Sequence, residues 1–439
     1  MAGLQTPGDR SAFNVHPQRG RVLSEVHARP LMPIEAPRRI LHFGFMTDHW
    51  AAQKDRAAFE EFCIARARPA PRPDAKHHRI EVPPAVLRWE HHGEFTTYTW
   101  EFPSPAQPGS ENGHTPFWPD PDELSNIMHL LPQPGPLLVA ADLHLLPERT
   151  VGEVYRHLFG PEQLAASEVE HGAARVATDF HPDAFGFVRI LVLDRKLTPP
   201  QAGGLVQRLL EIETYRTLAL LGLPQAQELG PTIRRIETEL PLLMNEMRES
   251  QGIESNRHLL DKLTSLAGDL ETGAAHSLFR FGATRAYHEL IGHRLEAIEE
   301  KALPGLPTLA SFLSRRLTPA IRTCGAIEAR QDNLSRKLAR AAQLLRTKVD
   351  IELESQNGDL LRKMNNRARM QLRLQQTVEG LSIVALTYYL ASICHIAFEG
   401  IQRRVTGLDP TLATAIALPF VFILVAWMVW RIRKHYVEE

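Results

Sequence analysis

The chain has 439 residues and a formal net charge of −1, with 50 Lys and Arg against 51 Asp and Glu. This length is enough for two or three hydrophobic cores. The balanced charge argues against a dedicated nucleic-acid-binding protein, which would carry a strong basic excess. The three cysteines, Cys63, Cys324 and Cys394, are far apart and match no zinc spacing or disulfide framework. The first residues contain no apolar stretch of the secretory type, so we expect no signal peptide.

The region before Thr198 shows the patterns of β-strands interspersed with helices. Apolar and polar residues alternate in Leu41–Phe45 and in Tyr98–Phe102, as on a half-buried strand. Further strands are expected at 137–146, 173–180 and 185–194, and helices at 49–67 and 148–171. His181-Pro182-Asp183 predicts a hairpin turn between the last two strands, and the proline-rich stretch 103–136 predicts an irregular loop.

From Thr198 onward the sequence predicts helices almost throughout. Thr198-Pro199 places a capping hydroxyl and a proline at a helix start. Gly222 and Pro224 supply the stop. The next helices are expected at 231–250, 254–269, 274–301 and 307–316, with breaks at Gly252, Gly273 and Pro304-Gly305.

A long helix is predicted over 318–377, because Thr318-Pro319 repeats the capped start and no proline follows. Apolar residues recur on one face at steps of three and four, and Gln375 continues the series after the last of them: Leu334, Leu338, Ala341, Leu345, Val349, Leu353, Leu360, Met364, Ala368 and Leu372. Such a stripe predicts either a coiled-coil stalk that joins copies in a homo-oligomer or a helix of an intramolecular bundle. The spacing alone does not identify the partner.

Two C-terminal stretches carry no formal charge and are long enough to cross a lipid bilayer. Gly380–Phe398 would span about 28 Å as a helix, close to the ~30 Å hydrocarbon core. Thr411–Trp430 follows, with Asp409 as a cap and Pro410 in its first turn. The alternative, two buried core helices, fits less well with two such runs so close together. We therefore predict a transmembrane hairpin.

The basic residues around this hairpin predict its orientation. One side carries Arg362, Lys363, Arg367, Arg369, Arg373, Arg431, Arg433 and Lys434. The connecting loop carries Arg403 and Arg404. The positive-inside rule therefore predicts a multi-pass protein with cytosolic N- and C-termini and a short external loop.

Polar and small residues inside the first span are candidates for a pore-facing stripe. Thr387, Ala391 and His395 lie one helical turn apart, with Tyr388 and Ser392 beside them. Polar groups at membrane depth usually face protein or a water path rather than lipid. The alternative is packing against another helix, for which small residues are also suited.

The sequence shows no enzymatic motif, so we expect neither catalytic activity nor a cofactor. No Walker-type phosphate loop and no G-x-S-x-G elbow occur. In HELIGH, His288 and His293 are five residues apart, about 140° round a helix, so they cannot ligate one zinc. Scattered histidines, including His77-His78 and His91-His92, leave a metal-sensing patch as a hypothesis, and their role as metal ligands is unknown.

The N-terminal run HPQRGRVLSEVHARP is dense in charge. Glu25 and Arg29, at an i,i+4 spacing, predict a salt bridge on one helix face, with an anion site as the alternative. The residues of this run singled out as a motif of unknown role are His16, Arg19, Glu25, His27 and Arg29.

Three stretches together resemble a known protein family: HPQRGRVLSEVHARP, QAGGLVQRLLEIETYRTLALLGLP and LRLQQTVEGLSIVALTYY. The family is a bacterial, largely proteobacterial group of membrane-anchored proteins with a domain of unknown function. The resemblance covers nearly the whole chain and implies an inner-membrane protein with two C-terminal spans. It implies no activity, because the family has none assigned.

The architecture also resembles, more distantly, the CorA-type magnesium channels, which are homopentamers whose first span lines the pore. The Gly-Met-Asn signature expected after that span is missing, since the chain reads FEGIQRR over 398–404. Two function hypotheses follow from this resemblance and from the missing signature. One is a CorA-like homo-oligomeric ion channel or transporter, with a divalent cation as a candidate partner. The other is a membrane-tethered sensing or scaffolding protein that transports nothing.

The predicted fold class is α+β, with a lipid bilayer as one partner. The predicted regions are a mixed α/β domain (1–197), a helical region (198–317), a stalk helix (318–377), two transmembrane helices (378–398 and 411–430) joined by an external loop (399–410), and a basic tail (431–439).

Overall fold

The computed structural model describes residues 16–19, 22–23, 32–72, 75–104, 117, 132–151, 158–159, 164–402 and 409–437. The chain divides into two compact units. The first unit comprises Met1–Leu242 with Leu263–Ala339, and the second comprises Leu243–Lys262 with Arg340–Glu439. The first holds the sheet and the helices against it, and the second holds the two apolar helices at the end of the chain.

The described residues of the first unit form a nine-stranded sheet with the order β2-β3-β4-β1-β5-β8-β7-β6-β9. The strands are β1 (Arg38–Met46), β2 (His77–Val82), β3 (Ala85–His91), β4 (Phe95–Pro103), β5 (Leu137–Pro147), β6 (Ala165–Val169), β7 (Ala174–Pro182), β8 (Val188–Asp194) and β9 (Lys301–Ala302). The central pair β5 and β8 is parallel, and the other described pairs are antiparallel.

Seven α-helices are described along the chain. They are α1 (His49–Ala65), α2 (Glu148–Val151), α3 (Pro199–Leu220), α4 (Gly222–Glu249), α5 (Ile253–Ala297), α6 (Leu309–Gln402) and α7 (Pro410–Val437). This arrangement confirms the predicted α+β class, with a mixed sheet and helix domain followed by a long helix and an apolar hairpin.

Both faces of the sheet are covered, as the strand patterns require. Leu41 and Phe43 of β1 pack with Phe59 of α1 on one face. Ile40 packs with Leu205 of α3 on the other face. Because successive side chains of a strand point to opposite faces, one strand supplies both cores. Strand β1 is accordingly buried through its whole interior.

Several strand predictions are confirmed, and one helix prediction is wrong in part. Strands β1, β4, β5, β7 and β8 and helix α1 lie where the sequence predicts them. The expected helix at 148–171 is contradicted at its C-terminal end, where Ala165–Val169 is strand β6. The reason is tertiary, because β6 pairs with both β7 and β9. Residues 152–157 and 160–163 lie outside the described part, as does most of the predicted loop at 103–136.

The turn between β7 and β8 confirms the predicted hairpin. Asp183 Oδ1 accepts hydrogen bonds from the backbone N–H groups of Phe185 (2.9 Å) and Phe187 (3.0 Å). Such an Asx turn is a known function of aspartate in tight connections. The sequence does not predict strands β2 and β3, although they form a regular antiparallel pair.

The helical region has fewer breaks than the sequence predicts. Gly252, at φ +90°, separates α4 from α5, and Gly305, at φ +77°, lies in the connection before α6. Helix α5 continues through Gly273, so the break expected there is wrong. Helix α4 likewise continues through Pro231, where a helix start was predicted.

Helix α6 begins at Leu309, before the predicted start at Thr318-Pro319, and continues unbroken to Gln402. Thr308 accepts a hydrogen bond from the backbone N–H of Ser311 at 3.1 Å, which makes it the cap. Phe312 lies in the turns before Pro319 and is buried. The packing of these turns therefore outweighs the loss of the backbone hydrogen bond that Pro319 cannot donate. The first span is therefore the end of the same helix.

Candidate functional site in the free half of α6 and the apolar hairpin

Two helical stretches are long and apolar enough to cross a membrane: one in the part of α6 up to Ile401 and one over Pro410–Arg431. Their most apolar windows are 6% and 11% buried. Large side chains such as Leu381, Ile396 and Phe420 are about two-thirds exposed. A helix in the core of a soluble protein would be mostly buried, so this exposure favours contact with lipid.

The candidate pore-facing residues of the first span do not share one open face. Thr387 and Ala391 are 8% and 9% exposed. His395 Nδ1 lies 2.9 Å from Thr414 Oγ1 on α7, and the Thr414 hydroxyl donates to the carbonyl of Pro410. The hydroxyl thus accepts from His395, and this face of α6 meets α7. These three residues are partly or fully covered within the single chain, and their assignment to a pore-facing stripe stays a prediction.

Tyr388 and Ser392 differ from the other three candidates because both are exposed. Tyr388 has 69% of its surface accessible. On a helix, Ser392 lies about 100° from Ala391 and about 60° from His395. The first span therefore has one face toward α7 and a second face, with Tyr388 and Ser392, without a partner in the described chain.

The apolar stripe of the predicted stalk also divides in two. Leu334, Leu338, Ala341, Leu345 and Val349 are all buried. This half of the stripe follows the intramolecular alternative. The stripe beyond Val349 is exposed, beginning with Leu353.

The last contacts of α6 with the α4–α5 turn mark this division. Lys348 Nζ donates to the carbonyl oxygens of Met247 (2.9 Å) and Ser250 (2.6 Å). One turn further on, Asn256 Nδ2 donates to Glu352 Oε2 at 2.9 Å. Beyond Glu352, Leu360, Met364 and Leu374 are 57%, 58% and 66% exposed. We call residues 353–378 the free stalk.

The free stalk is strongly basic. Its basic residues are Arg362, Lys363, Arg367, Arg369 and Arg373. No Asp or Glu occurs between Asp359 and Glu379. Arg362 lies 3.5 Å from Asp359, and both side chains are largely exposed, so this pair stabilises little.

The sheet contains buried polar clusters that the sequence did not single out. Arg39 donates to both carboxylate oxygens of Asp142, at 3.1 and 2.9 Å, and His144 Nε2 lies 3.3 Å from the same carboxylate. Burial raises the pKa of Asp142, but the His144 ring and the Arg39 guanidinium outweigh it and leave that pKa lowered. The sequence signal that could have identified this cluster was Asp142, a charged residue inside an otherwise apolar strand.

His42 is a second buried polar group, between the sheet and α3. Its Nε2 lies 3.0 Å from Thr214 Oγ1 and its Nδ1 lies 2.8 Å from Thr99 Oγ1. Thr214 donates to the Leu210 carbonyl, so its hydroxyl accepts from Nε2–H. Burial, with the nearby charge of Arg88, lowers the pKa of His42 from 6.5 to about 3. His42 is therefore neutral near neutral pH.

Asp55 of α1 is the third such group. Its two carboxylate oxygens accept hydrogen bonds from Trp89 Nε1 (2.8 Å) and the Tyr98 hydroxyl (2.6 Å). Burial raises the pKa of Asp55 despite both hydrogen bonds, which lower it. Each of the three clusters joins side chains from different elements of the sheet domain.

A family model described as "Protein of unknown function (DUF3422)" matches residues 14–436. The chain belongs to this DUF3422 family. The match covers nearly the whole chain, which confirms the resemblance to an uncharacterised family. No curated protein matches the chain. The more distant likeness to CorA-type channels stays a prediction.

The histidines of this DUF3422 protein are spread over separate environments. His288 lines a cavity of about 520 Å³ between α5 and α6, whereas the His293 side chain is 71% exposed. His77 faces Glu90 across the β2–β3 pair, and His78 faces Trp89. Among the residues that the structure describes, no group of three or more His, Cys, Asp or Glu side chains is placed to hold a metal ion.

The N-terminal motif is described only at its start. The backbone N–H groups of Gln18 and Arg19 donate to His16 Nδ1 (3.2 Å) and to the His16 carbonyl (2.9 Å). Glu25, His27 and Arg29 lie outside the described residues. The predicted Glu25–Arg29 salt bridge and its alternative, an anion site, stay predictions.

Proposed function

We propose that the protein is a membrane-tethered scaffold that self-associates along α6 and holds its sheet domain at the cytosolic side of a bacterial inner membrane. The observation that carries this proposal is the free stalk. Its apolar side chains are exposed, and apolar residues occupy most positions of a repeat whose spacing is typical of a coiled coil.

The repeat follows alternating steps of four and three residues. Its positions are Leu353, Asn357, Leu360, Met364, Arg367, Gln371, Leu374 and Val378. We call these residues the stalk seam. Leucine occupies most of the d positions, which follow the a positions by three residues. Asn357 occupies an a position, where a polar residue can set the register of a coiled coil. The same steps continue into the first span at Leu381, Ala385, Tyr388 and Ser392.

A second copy of the chain is the partner that best fits this seam. Copies anchored in one membrane by the same hairpin point the same way, which the parallel arrangement of a coiled coil requires. Each fully buried leucine contributes roughly 1.5–3 kcal/mol, so several seam residues per copy can stabilise the pairing. Ala385 and Ser392 are small enough for close helix contact within lipid.

The basic residues support the proposed orientation. Arg369 and Arg373 precede the first span, and Arg431, which stacks on Trp427 at 5.1 Å, follows the second. A tryptophan and an arginine at this place are typical of the membrane–water interface. The proposed role is non-enzymatic, which the inward hydrogen bonding of the buried titratable groups supports.

An ion channel is the second candidate, because the seam passes through Tyr388 and Ser392. In an assembly joined along the seam, these two polar side chains would face the axis. Polar rings at that place could line a path for a divalent cation. Ion flux into liposomes tests this candidate, with Tyr388→Leu and Ser392→Leu expected to alter it. Flux that neither change affects would remove these residues from a pore.

Self-association is tested with a matched pair of leucines. Leu374 lies on the seam, whereas Leu372 lies on the stripe of four-residue steps described in the sequence analysis, and they are 66% and 59% exposed. We expect Leu374→Gln to weaken the oligomer of the full chain in mild detergent, since a buried amide without a partner costs about 1–3 kcal/mol. Leu372→Gln should leave it unchanged. Mass photometry checks the result, and a parent protein that is monomeric throughout would contradict the proposal.

A further inference from the structure

Arg367 is the charged residue of the stalk seam, and a dry coiled-coil core does not accommodate an unpaired charge. Arg367 lies between Met364 and Gln371 on the seam, and its side chain is exposed in the single chain. Lys363 precedes it by four residues, so their side chains lie on the same side of the helix. Joining copies along the seam would bring several positive charges together at this level.

We infer that the assembled stalk binds a multivalent oxyanion between the Arg367 side chains of neighbouring copies. This inference rests on the self-association proposed above. The ligand class is a phosphate-like anion with two or more negative charges.

Helix α6 supplies no acidic partner at this level. Asp359 and Glu379 are the nearest acidic residues along α6. They lie about 12 Å and about 18 Å from Arg367 along the helix axis. In a parallel assembly the neighbouring copies place their own acids at the same distant levels. A charge enclosed without a partner is strongly destabilising, so the counter-charge has to come from solution.

Anionic lipid headgroups are too far away to supply that charge. Arg367 precedes Gly380, where the apolar span begins, by about 20 Å of helix. The headgroup region extends only about 5–8 Å beyond the hydrocarbon. Arg373, about 10 Å from Gly380, is the basic residue that approaches the headgroups. A soluble anion is therefore the better fit at Arg367.

The side chains at this level suit an oxyanion in particular. The guanidinium of arginine presents paired N–H donors that match two oxygens of a phosphate. Gln371, one turn further along the seam, adds amide donors. Two or more copies then surround the anion with donors from several directions. Anion binding would make association of the copies depend on the anion concentration on the cytosolic side.

The test uses the full chain in nanodiscs of zwitterionic lipid, with tripolyphosphate as the probe and sodium chloride at matched ionic strength as the reference. Energy transfer between labelled copies measures their dissociation constant. We expect tripolyphosphate at about 100 times its own Kd to tighten association of the parent roughly 100-fold. Arg367→Leu should associate tightly without the probe and should not respond to it.

Arg369→Leu is the matched control, because residue 369 lies about 200° round the helix from Arg367. It should respond as the parent does, and an equal loss of response would show diffuse charge rather than a seam site. Association that responds to anionic lipid but not to tripolyphosphate would overturn the assignment in favour of headgroups. Association indifferent to the probe but weakened by Leu374→Gln would overturn the anion site alone. A monomer under all conditions would overturn the self-association beneath it.

Discussion

At the scale of single residues, buried charged and polar side chains organise the sheet domain. Arg39 and Asp142 form a bidentate ion pair, and their side chains are 11% and 3% exposed. Such a pair adds little net stability over an apolar substitute, but the loss of one partner leaves an uncompensated charge. His42 differs from this ion pair, because it is buried in its neutral form.

The Arg39–Asp142 pair predicts an asymmetric mutational effect. Arg39→Met should destabilise the domain by about 3–5 kcal/mol, because Asp142 would keep its buried charge without this partner. Arg39→Met combined with Asp142→Leu should recover much of that loss. Arg38→Met is the control, since Arg38 pairs with Glu101 at a more exposed site and should cost at most about 1 kcal/mol. Urea unfolding of the full chain in detergent measures all of them, and equal losses for Arg38 and Arg39 would contradict the prediction.

His42 predicts a pH dependence of stability. Its pKa is about 3 when folded, against 6.5 when unfolded, so between these values the unfolded chain binds more protons. The contribution of neutral His42 to stability is therefore complete above pH 6.5 and is lost as the pH falls below it. The expected slope is at most about 1.4 kcal/mol per pH unit.

The measurement is the urea midpoint of the full chain between about pH 7.5 and about pH 5. His42→Gln, which cannot titrate, should show a shallower decline over the acidic part of this range than the parent. Because many carboxylates titrate at lower pH, the comparison between the two proteins is decisive rather than the slope of either one. Identical slopes would show that His42 does not carry the dependence.

At the scale of elements, α6 begins at Leu309 because Glu300 and Thr308 satisfy its first N–H groups. Glu300 accepts hydrogen bonds from the backbone of Leu309 and Ala310, both at 2.9 Å, and from the Ser167 hydroxyl at 2.8 Å. A carboxylate at a helix N-terminus also meets the positive end of the helix dipole. One side chain thus joins the start of α6 to strand β6.

Glu300→Ala should fray the first turn of α6. Three hydrogen bonds lose their acceptor, so we expect a loss of about 1–3 kcal/mol. Faster hydrogen exchange at 309–312 measures the effect locally. Glu296→Ala is the control, because the Glu296 side chain is 83% exposed, and it should leave this exchange unchanged. Unchanged exchange in Glu300→Ala would mean that packing alone holds the helix start.

At the scale of the whole molecule, the chain carries far more exposed apolar surface at its C-terminal end than a soluble protein tolerates. Val384, Ile393, Phe420 and Met428 are each more than half exposed. Water would make such surfaces aggregate, whereas a bilayer accommodates them. The basic flanks predict that both termini lie on the cytosolic side.

This distribution predicts membrane partition with a defined topology. After ultracentrifugation of a detergent-free lysate, the full chain should be in the membrane pellet. A reporter fused after Glu439 should be active only when it is a type that works in the cytosol. Full-length protein in the supernatant, or a reporter active only in the periplasm, would contradict the proposed topology. A chain truncated before the first span provides the soluble control.

The sequence by itself determined the features that depend on neighbouring residues. The apolar runs matched the thickness of a bilayer, alternation located most strands, and glycine with capping residues located several helix ends. Only the tertiary structure decided features that join distant residues. It paired Arg39 with Asp142, made a strand of Ala165–Val169, turned His395 toward Thr414 and divided the stripe of α6 after Val349. The physical reason is that a periodic pattern shows which side of an element is apolar, while the partner that covers that side comes from elsewhere in the chain or from another molecule.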